Sequence, residues 1–336
     1  MPELGAAELL LAASIALALA YAYANGMNDA ANAVATVIST RALRPVTAVI
    51  MGGVLNAAGA IAGLFLGSLV AKTIGKDIID PSDMTQLAVV SAIGASVIWV
   101  FLATRLGFPV SVSHSLIASV VGAGVAVAGW GALNAAVVVK VLLALALSPL
   151  LGFIGGFFLM VGLHWLLRRR SPRVVNMWGK WLQVLASAFL AFSHGRNDAQ
   201  NAIGIIALAW AVYASHDTEI KVWMVLLSAA VIGIGTAFGG RRVIRMLGMR
   251  VTRLEPIQGF AANVTAATVI EAASSIGLPV STTHTSTSSI MGVGATRRFS
   301  AVRWGVTRSI AVAWLVTYPF CLVLGWTLSK ALSRLG

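Results

Sequence analysis

Long apolar stretches, separated by short polar segments, make up most of the chain. A helix needs about 20 residues to cross a bilayer, whereas strands of a membrane barrel alternate polar and apolar residues over about ten. The runs at 86–104 and 133–166 are longer and do not alternate. The pattern therefore predicts an all-α polytopic membrane protein. Its first half holds five crossings, at 8–40, 46–71, 86–104, 108–128 and 133–166, and five equivalents follow from about 178 to 332.

A polar motif interrupts the first apolar stretch of each half. Residues 25–34 are Asn-Gly-Met-Asn-Asp-Ala-Ala-Asn-Ala-Val, and residues 194–203 are His-Gly-Arg-Asn-Asp-Ala-Gln-Asn-Ala-Ile. An ionisable residue in hydrocarbon is costly, so its presence indicates function. Two copies at matching positions favour one site built from both halves, as in many secondary transporters.

A second motif repeats at the same spacing. Residues 108–115 are Phe-Pro-Val-Ser-Val-Ser-His-Ser, and residues 278–285 are Leu-Pro-Val-Ser-Thr-Thr-His-Thr. Asp29 and Asp198 are 169 positions apart, and His114 and His284 are 170 apart. Two separate motifs with one spacing indicate an internal duplication.

Loop charges indicate that the two repeats are inverted. Positive loops face the cytoplasm, and equivalent loops here have opposite charge bias. The contrasts are Arg41 and Arg44 against Asp217, Glu219 and Lys221; Lys72, Lys76, Asp77, Asp80 and Asp83 against Arg241, Arg242, Arg245, Arg250, Arg253 and Glu255; and an uncharged 126–136 against Arg297, Arg298 and Arg303. An odd number of crossings per half produces this inversion.

The duplication also predicts the domain organisation. We expect an N-terminal inverted repeat at 1–167, a basic linker at 168–177 and a C-terminal inverted repeat at 178–336. The linker carries Arg168, Arg169, Arg170 and Arg173, which places it in the cytoplasm and both termini outside.

Composition narrows the class of protein. The chain is 58% hydrophobic and 10% charged, and its mean hydropathy is +0.89, which excludes an ordinary soluble domain. The net charge of +13 fits basic cytoplasmic loops, and no soluble basic domain is present to bind nucleic acid. No cleavable signal peptide is evident. The single cysteine, Cys321, excludes an internal disulfide and a cysteine metal cluster.

The first motif has the chemistry of a cation site. Asn28 and Asn32 share a helical face and Asp29 adjoins them. Amide and carboxylate oxygens are hard ligands that suit alkali or alkaline-earth ions. Gly26 and Gly195 predict a break in each helix just before the Asn-Asp pair, and interrupted helices expose ion-binding backbone groups at the midplane. Alternatively, the Asn and Asp side chains only cap the half-helices.

The second motif has the chemistry of an anion site. Proline fits the first turn of a helix, and a helix N-terminus binds anions through its free N–H groups. Here hydroxyl groups surround that turn, but Ser and Thr also mediate helix packing in membranes. His114 and His284 are either proton carriers or buried hydrogen-bond partners. Glu271 is a further intramembrane acid without a counterpart in the first half.

Charge balance then predicts coupling. A divalent oxyanion beside Asp29 and Asp198 would give a charge of about −4 in low dielectric, which requires cations or protonation. Arg196 is the one nearby cation in the sequence. We therefore expect the substrate to bind together with Na⁺ or H⁺, as transported ions and with no cofactor.

Together these residues resemble the signature of the PiT family of inorganic phosphate transporters. That signature is a duplicated Gly-Ala-Asn-Asp-Val-Ala-Asn-Ala-like motif with a following Leu-Pro-Val-Ser-x-Thr-His. The matching stretches are 26–33 and 195–202, then 108–114 and 278–284; Ser91 to Trp99 and Gly239 to Gly248 are also similar. Met27 and Arg196 depart from the small residue usual before Asn-Asp.

The resemblance implies a homodimer of inverted repeats in which broken helices meet at a central site, and it implies residue roles. The Na⁺ ligands would be Asn28, Asp29, Asn32, Asn197, Asp198 and Asn201. The phosphate-binding residues would be Ser111, Ser113, His114, Ser115, Gln200, Ser281, Thr282, Thr283, His284 and Thr285. The long hydrophilic loop of eukaryotic members is absent, which indicates a prokaryotic type of chain in the inner (plasma) membrane.

We therefore expect a Na⁺- or H⁺-coupled inorganic phosphate transporter that works by alternating access and is not an enzyme. The alternative within the family is a sulfate permease, since hydroxyls and amides do not separate the two tetrahedral anions. Two other classes stay open at this point. One is a passive channel; the other is a membrane hydrolase with Ser111 or Ser281 as nucleophile.

Overall fold

The computed structural model describes residues 5–214 and 219–334, and twelve α-helices are found in those ranges. They are α1 Ala6–Ser39, α2 Pro45–Leu66, α3 Leu69–Lys72, α4 Gln86–Leu106, α5 Val112–Ala128, α6 Ala135–Leu167, α7 Pro172–Ala214, α8 Val222–Phe238, α9 Arg241–Arg245, α10 Pro256–Ser275, α11 Thr282–Ala295 and α12 Trp304–Leu332. No β-strand occurs in the described ranges. Asp217, used above in the comparison of loop charges, lies outside them.

The predicted fold class, an all-α membrane protein of two inverted repeats, is confirmed. Helices α1–α6 and α7–α12 are equivalent in order and exchange partners across the molecule. For example, α5 packs on α12 while α11 packs on α6, and α1 packs on α8 while α2 packs on α7. Each half therefore completes the core of the other.

The two faces of the molecule can be told apart by which chain ends they carry. Near the start of α1 and the end of α7, Tyr213 Oη donates to Glu8 (3.2 Å). Helix α12 ends on this same face, since Ser329 packs beside Ala123 near the end of α5. We call it the terminal face, and we call the opposite one, where α6 turns into α7, the linker face.

The helices that carry the first motif are continuous, so the break expected at Gly26 and Gly195 is wrong. Helix α1 has 34 residues and α7 has 43, and both run through the motif without interruption. The glycines serve close packing instead. A Cβ at Gly26 would overlap the Ile232 carbonyl of α8, and one at Gly195 would overlap the Asn56 carbonyl of α2.

The chain is interrupted at the second motif. A glycine with positive φ follows each of α4 and α10, Gly107 (82°) directly and Gly277 (73°) after Ile276, a conformation that favours glycine. After a short turn, α5 and α11 begin, so each pair forms a helical hairpin. Helix α4 ends with Arg105 as its basic residue, and the Arg242 guanidinium donates to its carbonyl.

The two hairpins meet at their tips. The His114 and His284 ring centroids are 4.6 Å apart, and each tip contacts the motif helix of the other half, as described below. The repeats have opposite orientation, so the two hairpins enter from opposite faces. If each hairpin crossed the whole membrane, their tips would lie on opposite faces, about 30 Å apart. The segments at 86–104 and 108–128 and their equivalents are thus helical as expected, but they enter and return on one face. Three crossings per half remain, still an odd number.

Within residues 5–214 and 219–334, five helices are long and apolar enough to span a membrane: α1, α2, α4, α6 and α12. The pair α8 and Arg241–Arg250 passes the same test together and bends by 58° at Gly239 and Gly240. The bend is held because Gly240 N donates to Met27 O of α1 (2.7 Å). Between the repeats only residues 168–171 are non-helical, since α7 already begins at Pro172 within the expected linker. The domain boundaries themselves stay a prediction.

Candidate functional site

Two carboxylates from the two halves meet in the interior. Asp29 on α1 is 2% exposed and Asp198 on α7 is 1% exposed. Thr282, in the first turn of α11, bridges them: its Oγ1 is 3.2 Å from Asp29 Oδ2 and 3.1 Å from Asp198 Oδ2. Thr283 Oγ1 donates to Asp29 Oδ1 (2.8 Å). One hairpin tip therefore binds the acids of both halves.

Two further polar side chains complete this centre, and sequence reasoning gave neither of them a role. His194 Nε2 lies 2.9 Å from Asp198 Oδ2 and 3.5 Å from Asp29 Oδ2. Asn25, the equivalent residue of the first half, lies against the same two oxygens, and its amide donates to both at 3.2 Å when the amide nitrogen is oriented toward them. A usable signal was present, because each residue precedes its aspartate by four positions and so shares its helical face. The other ring nitrogen of His194, Nδ1, lies 3.2 Å from Asn56 Nδ2.

The four asparagines predicted as cation ligands bind the hairpins through their amide groups. Asn28 donates to Thr104 (2.8 Å) and Asn197 donates to the equivalent Ser274 (2.7 Å). Asn32 and Asn201 donate across the pseudo-symmetry to Thr283 (3.1 Å) and Ser113 (2.8 Å). Five buried oxygens of the motif find no hydrogen-bond partner among the described residues: Oδ1 of Asn28, Asn32, Asn197 and Asn201, and Oδ1 of Asp198. Buried acceptors of this kind are rare in finished cores.

The hydroxyl groups of the second motif divide into three roles. Ser111 and Ser281 cap their own helices and accept from the N–H groups of His114 (3.2 Å) and His284 (3.1 Å). Ser113, Thr282 and Thr283 contact the first motif. Ser115 and Thr285 donate to carbonyls of their own helices. Two of the predicted anion-binding hydroxyls, those of Thr282 and Thr283, thus contact the carboxylates directly, while Ser113 contacts Asn201.

The two histidines of the second motif face away from this centre. Their rings form an edge-to-face pair, and His284 stacks on Trp314 at 3.8 Å. With Pro149 and Tyr318 they line an apolar cavity of about 400 Å³. Among the described residues, no ion pair joins either ring to Asp29 or Asp198. A direct phosphate contact for His114 and His284 stays a prediction that this packing does not favour.

Three other charged or polar residues also lie apart from the carboxylates. Gln200 accepts from the backbone of Ala71 (3.1 Å) and donates to the Arg196 carbonyl (2.8 Å), so it fixes α3 rather than adjoining the acids. Arg196 forms a largely buried ion pair with Glu271 of α10. Arg196 is therefore already paired, and the basic side chain that lies beside the carboxylates is His194 instead.

Two inverted repeats whose helical hairpins and acidic helices meet at one buried centre define a transporter of the inverted-repeat class. Comparison with known proteins specifies it further, and the chain belongs to the phosphate transporter family. The family model matches twice, at residues 25–179 and 168–325.

Relatives and a solved structure agree over nearly the whole chain. A probable low-affinity inorganic phosphate transporter of Rhizobium meliloti is 41% identical, with 92% of each chain covered. A protein of Bacillus subtilis with the same description is 38% identical at the same coverage. A solved structure described as the sodium-dependent phosphate transporter superposes with a TM-score of 0.87 at 26% identity, covering 98% of this chain and all of that one.

Proposed function

We propose that the protein is a cation-coupled inorganic phosphate transporter that works by alternating access at the site around Asp29 and Asp198. The observation that carries the proposal is the set of five motif oxygens that are buried without a protein partner among the described residues. Oxygen atoms of this kind are the ligands that Na⁺ and similar hard cations prefer.

The cations bind between the halves in this proposal. Two carboxylates in a low-dielectric interior repel each other strongly, and one imidazole lies near both of them. A cation that coordinates Asp198 Oδ1 and the free amide oxygens lowers this repulsion. Because α1 and α7 both supply ligands, binding favours the arrangement in which the two repeats are closed on each other.

Phosphate binds at the hairpin tips in this proposal. Helices α5 and α11 both begin at the centre, and each N-terminus presents free N–H groups and a partial positive charge. The Ser113, Thr282 and Thr283 hydroxyls are the neutral donors available there. A protonated phosphate can also donate a hydrogen bond to Asp29 or Asp198, which sulfate cannot do. Anion and cation then stabilise each other, which is the physical basis of coupling.

The choice of ions follows from the same ligands and from the relatives. Na⁺ fits the oxygen set, and the matching solved structure is described as sodium-dependent; H⁺ is the alternative coupling ion. The relatives are described as transporters of phosphate, so phosphate is proposed as the substrate over sulfate. Transport of the anion, rather than hydrolysis by Ser111 or Ser281, is proposed because both serines cap their own helices.

Assembly and orientation are proposed on the family resemblance and on loop charge. We expect a homodimer in the inner membrane. Residues 168–171 would lie in the cytoplasm, and the terminal face would lie outside. Crosslinking in membranes tests the dimer. Protease access to the linker in inverted vesicles tests the orientation.

Uptake into proteoliposomes tests the function. Radiolabelled phosphate or sulfate is offered under separately imposed Na⁺ and H⁺ gradients, with protein-free liposomes as control. We expect phosphate, and not sulfate, to accumulate above its external concentration when one of the two cation gradients is imposed. Equilibration without accumulation would indicate a channel, and phosphate uptake that ignores both gradients would refute coupling.

A further inference from the structure

The site is closed on both faces, but the two closures differ in chemistry. Toward the linker face, the side chains about two to four helical turns from the carboxylates are polar and hydrogen-bonded. Toward the terminal face, the pseudo-equivalent positions are mostly apolar. The inverted repeats make this a controlled comparison, because each residue on one route has a counterpart on the other.

The route toward the linker face consists of five residues that we call the polar file: Thr36, Thr40, Gln183, Ser187 and Asn263. Thr36 donates to Asn263 Oδ1 (3.1 Å), and Thr40 donates to Gln183 Oε1 (2.8 Å). Ser187 donates to the Ala33 carbonyl (2.6 Å). On α1, Thr36 and Thr40 continue the row of Asn28 and Asn32, one residue per turn. The file therefore leads directly from the predicted cation ligands.

Two amide groups of the polar file have no partner. Asn263 is 1% exposed and Gln183 is 0% exposed, yet Asn263 Nδ2 and Gln183 Nε2 find no acceptor among the described residues. Buried amides without a partner are costly, and a passing water molecule satisfies them. This observation is independent of the row on α1, and it gives the file two buried donors to which a water molecule can bind.

The counterparts toward the terminal face form an apolar plug. Shifted by the repeat spacing, the polar file corresponds to Ile205, Ala209, Ser14, Ala18 and Ile93. Thr36 and Asn263 become Ile205 and Ile93, both 0% exposed in one hydrophobic cluster. Only Ser14 retains a hydroxyl. The positions next to the carboxylates are an exception to this pattern. There the terminal side has Tyr21, with a hydroxyl, and the linker side has the equivalent Leu190.

We propose that the polar file is the hydrated path by which the coupling cation passes between the site and the linker face, while Ile93 and Ile205 seal the terminal face. This inference rests on the proposed transport function. Opening the file exchanges protein hydrogen bonds for hydrogen bonds to water, which changes the free energy little. Opening the plug exposes isoleucine to water, which is unfavourable. The chain therefore opens more readily toward the linker face when no substrate is bound.

Cysteine accessibility tests the path without relying on transport. In a Cys321→Ala background, which removes the single native cysteine, Thr36→Cys and Ile205→Cys form a matched pair. Each variant is placed in nanodiscs, where both faces are open, and treated with a water-soluble cationic thiosulfonate; modification is followed by mass spectrometry. We expect Thr36→Cys to react at least about tenfold faster, because only the plug must expose apolar side chains. Equal rates, or faster reaction at Ile205→Cys, would overturn the proposal.

If one of the first two variants does not fold, a second pair, Asn263→Cys and Ile93→Cys, is compared by the same rate of thiol modification. The outcome is separable from the proposed function. A protein that reacts as expected but does not accumulate phosphate keeps the path and loses the function. Accumulation with equal reaction rates does the reverse.

The converse test introduces residues of the polar file at the equivalent positions of the apolar plug. The double variant Ile93→Asn with Ile205→Thr makes the terminal route match the linker route. We expect it to leak Na⁺ or H⁺ across proteoliposomes without phosphate, because both closures then admit water. The matched control, Thr36→Ile with Asn263→Ile, is expected to leak no more than the wild type. A tight transplant variant that is folded and monodisperse would count against the path.

Discussion

The two copies of the acidic motif share their aspartates and asparagines and differ at positions beside them. Asp29 and Asp198 are equivalent in sequence, and the asparagines that flank them make equivalent contacts in both halves. By contrast, Asn25 corresponds to His194, and Met27 corresponds to Arg196. The shared residues are the proposed ion ligands, and they come from both halves. The differing residues break the symmetry, so they are the ones that can make inward and outward states unequal in energy.

The largest expected effect comes from the shared residues. Asp29→Asn and Asp198→Asn each remove one of two charges that the cation must bridge, while the amide retains the size and the contact with Thr282. Since loss of a buried charge partner costs about 2–5 kcal/mol, we expect gradient-driven phosphate uptake to fall by at least about thirtyfold in each variant. Uptake by proteoliposomes measures it.

Asp83→Asn is the matched control, because Asp83 is an exposed acid in the turn Pro81–Asp83. It should leave uptake unchanged. If Asp29→Asn abolished uptake and Asp198→Asn did not, the two halves would not contribute equally, and the shared-site interpretation would fail.

The sequence predicted what depends on pattern and missed what depends on packing. Motif spacing alone identified the repeat and brought Asp29 and Asp198 together. The expected helix break failed because glycine permits both a kink and close packing, and only the carbonyl of the neighbouring helix decides between them. Hydropathy also cannot separate a crossing helix from one arm of a hairpin, since α4 is as apolar as a true span.

The histidine of the site tests the first asymmetric position. His194→Asn gives the second half the residue that the first half already has at Asn25, so the fold should persist. It removes the one side chain near both carboxylates that can carry a positive charge. We expect phosphate uptake to fall by about tenfold, which corresponds to loss of one charge-assisted hydrogen bond. Uptake is measured beside His164→Asn, an exposed histidine of α6, and equal uptake by the two variants would argue against a role for His194.

The smallest effect on transport, and a clear one on stability, is expected at the ion pair of Arg196 and Glu271. The first half has Met27 and Phe101 at these positions, so two apolar side chains stand there in place of the ion pair. Arg196→Met alone leaves Glu271 without its partner and should lower the unfolding free energy by about 2 kcal/mol, whereas Arg196→Met with Glu271→Phe should stay within about 1 kcal/mol of the wild type. Detergent unfolding followed by tryptophan fluorescence measures both. A double variant as unstable as the single one would mean that the apolar pair of the first half does not pack in the second half, and the prediction would fail.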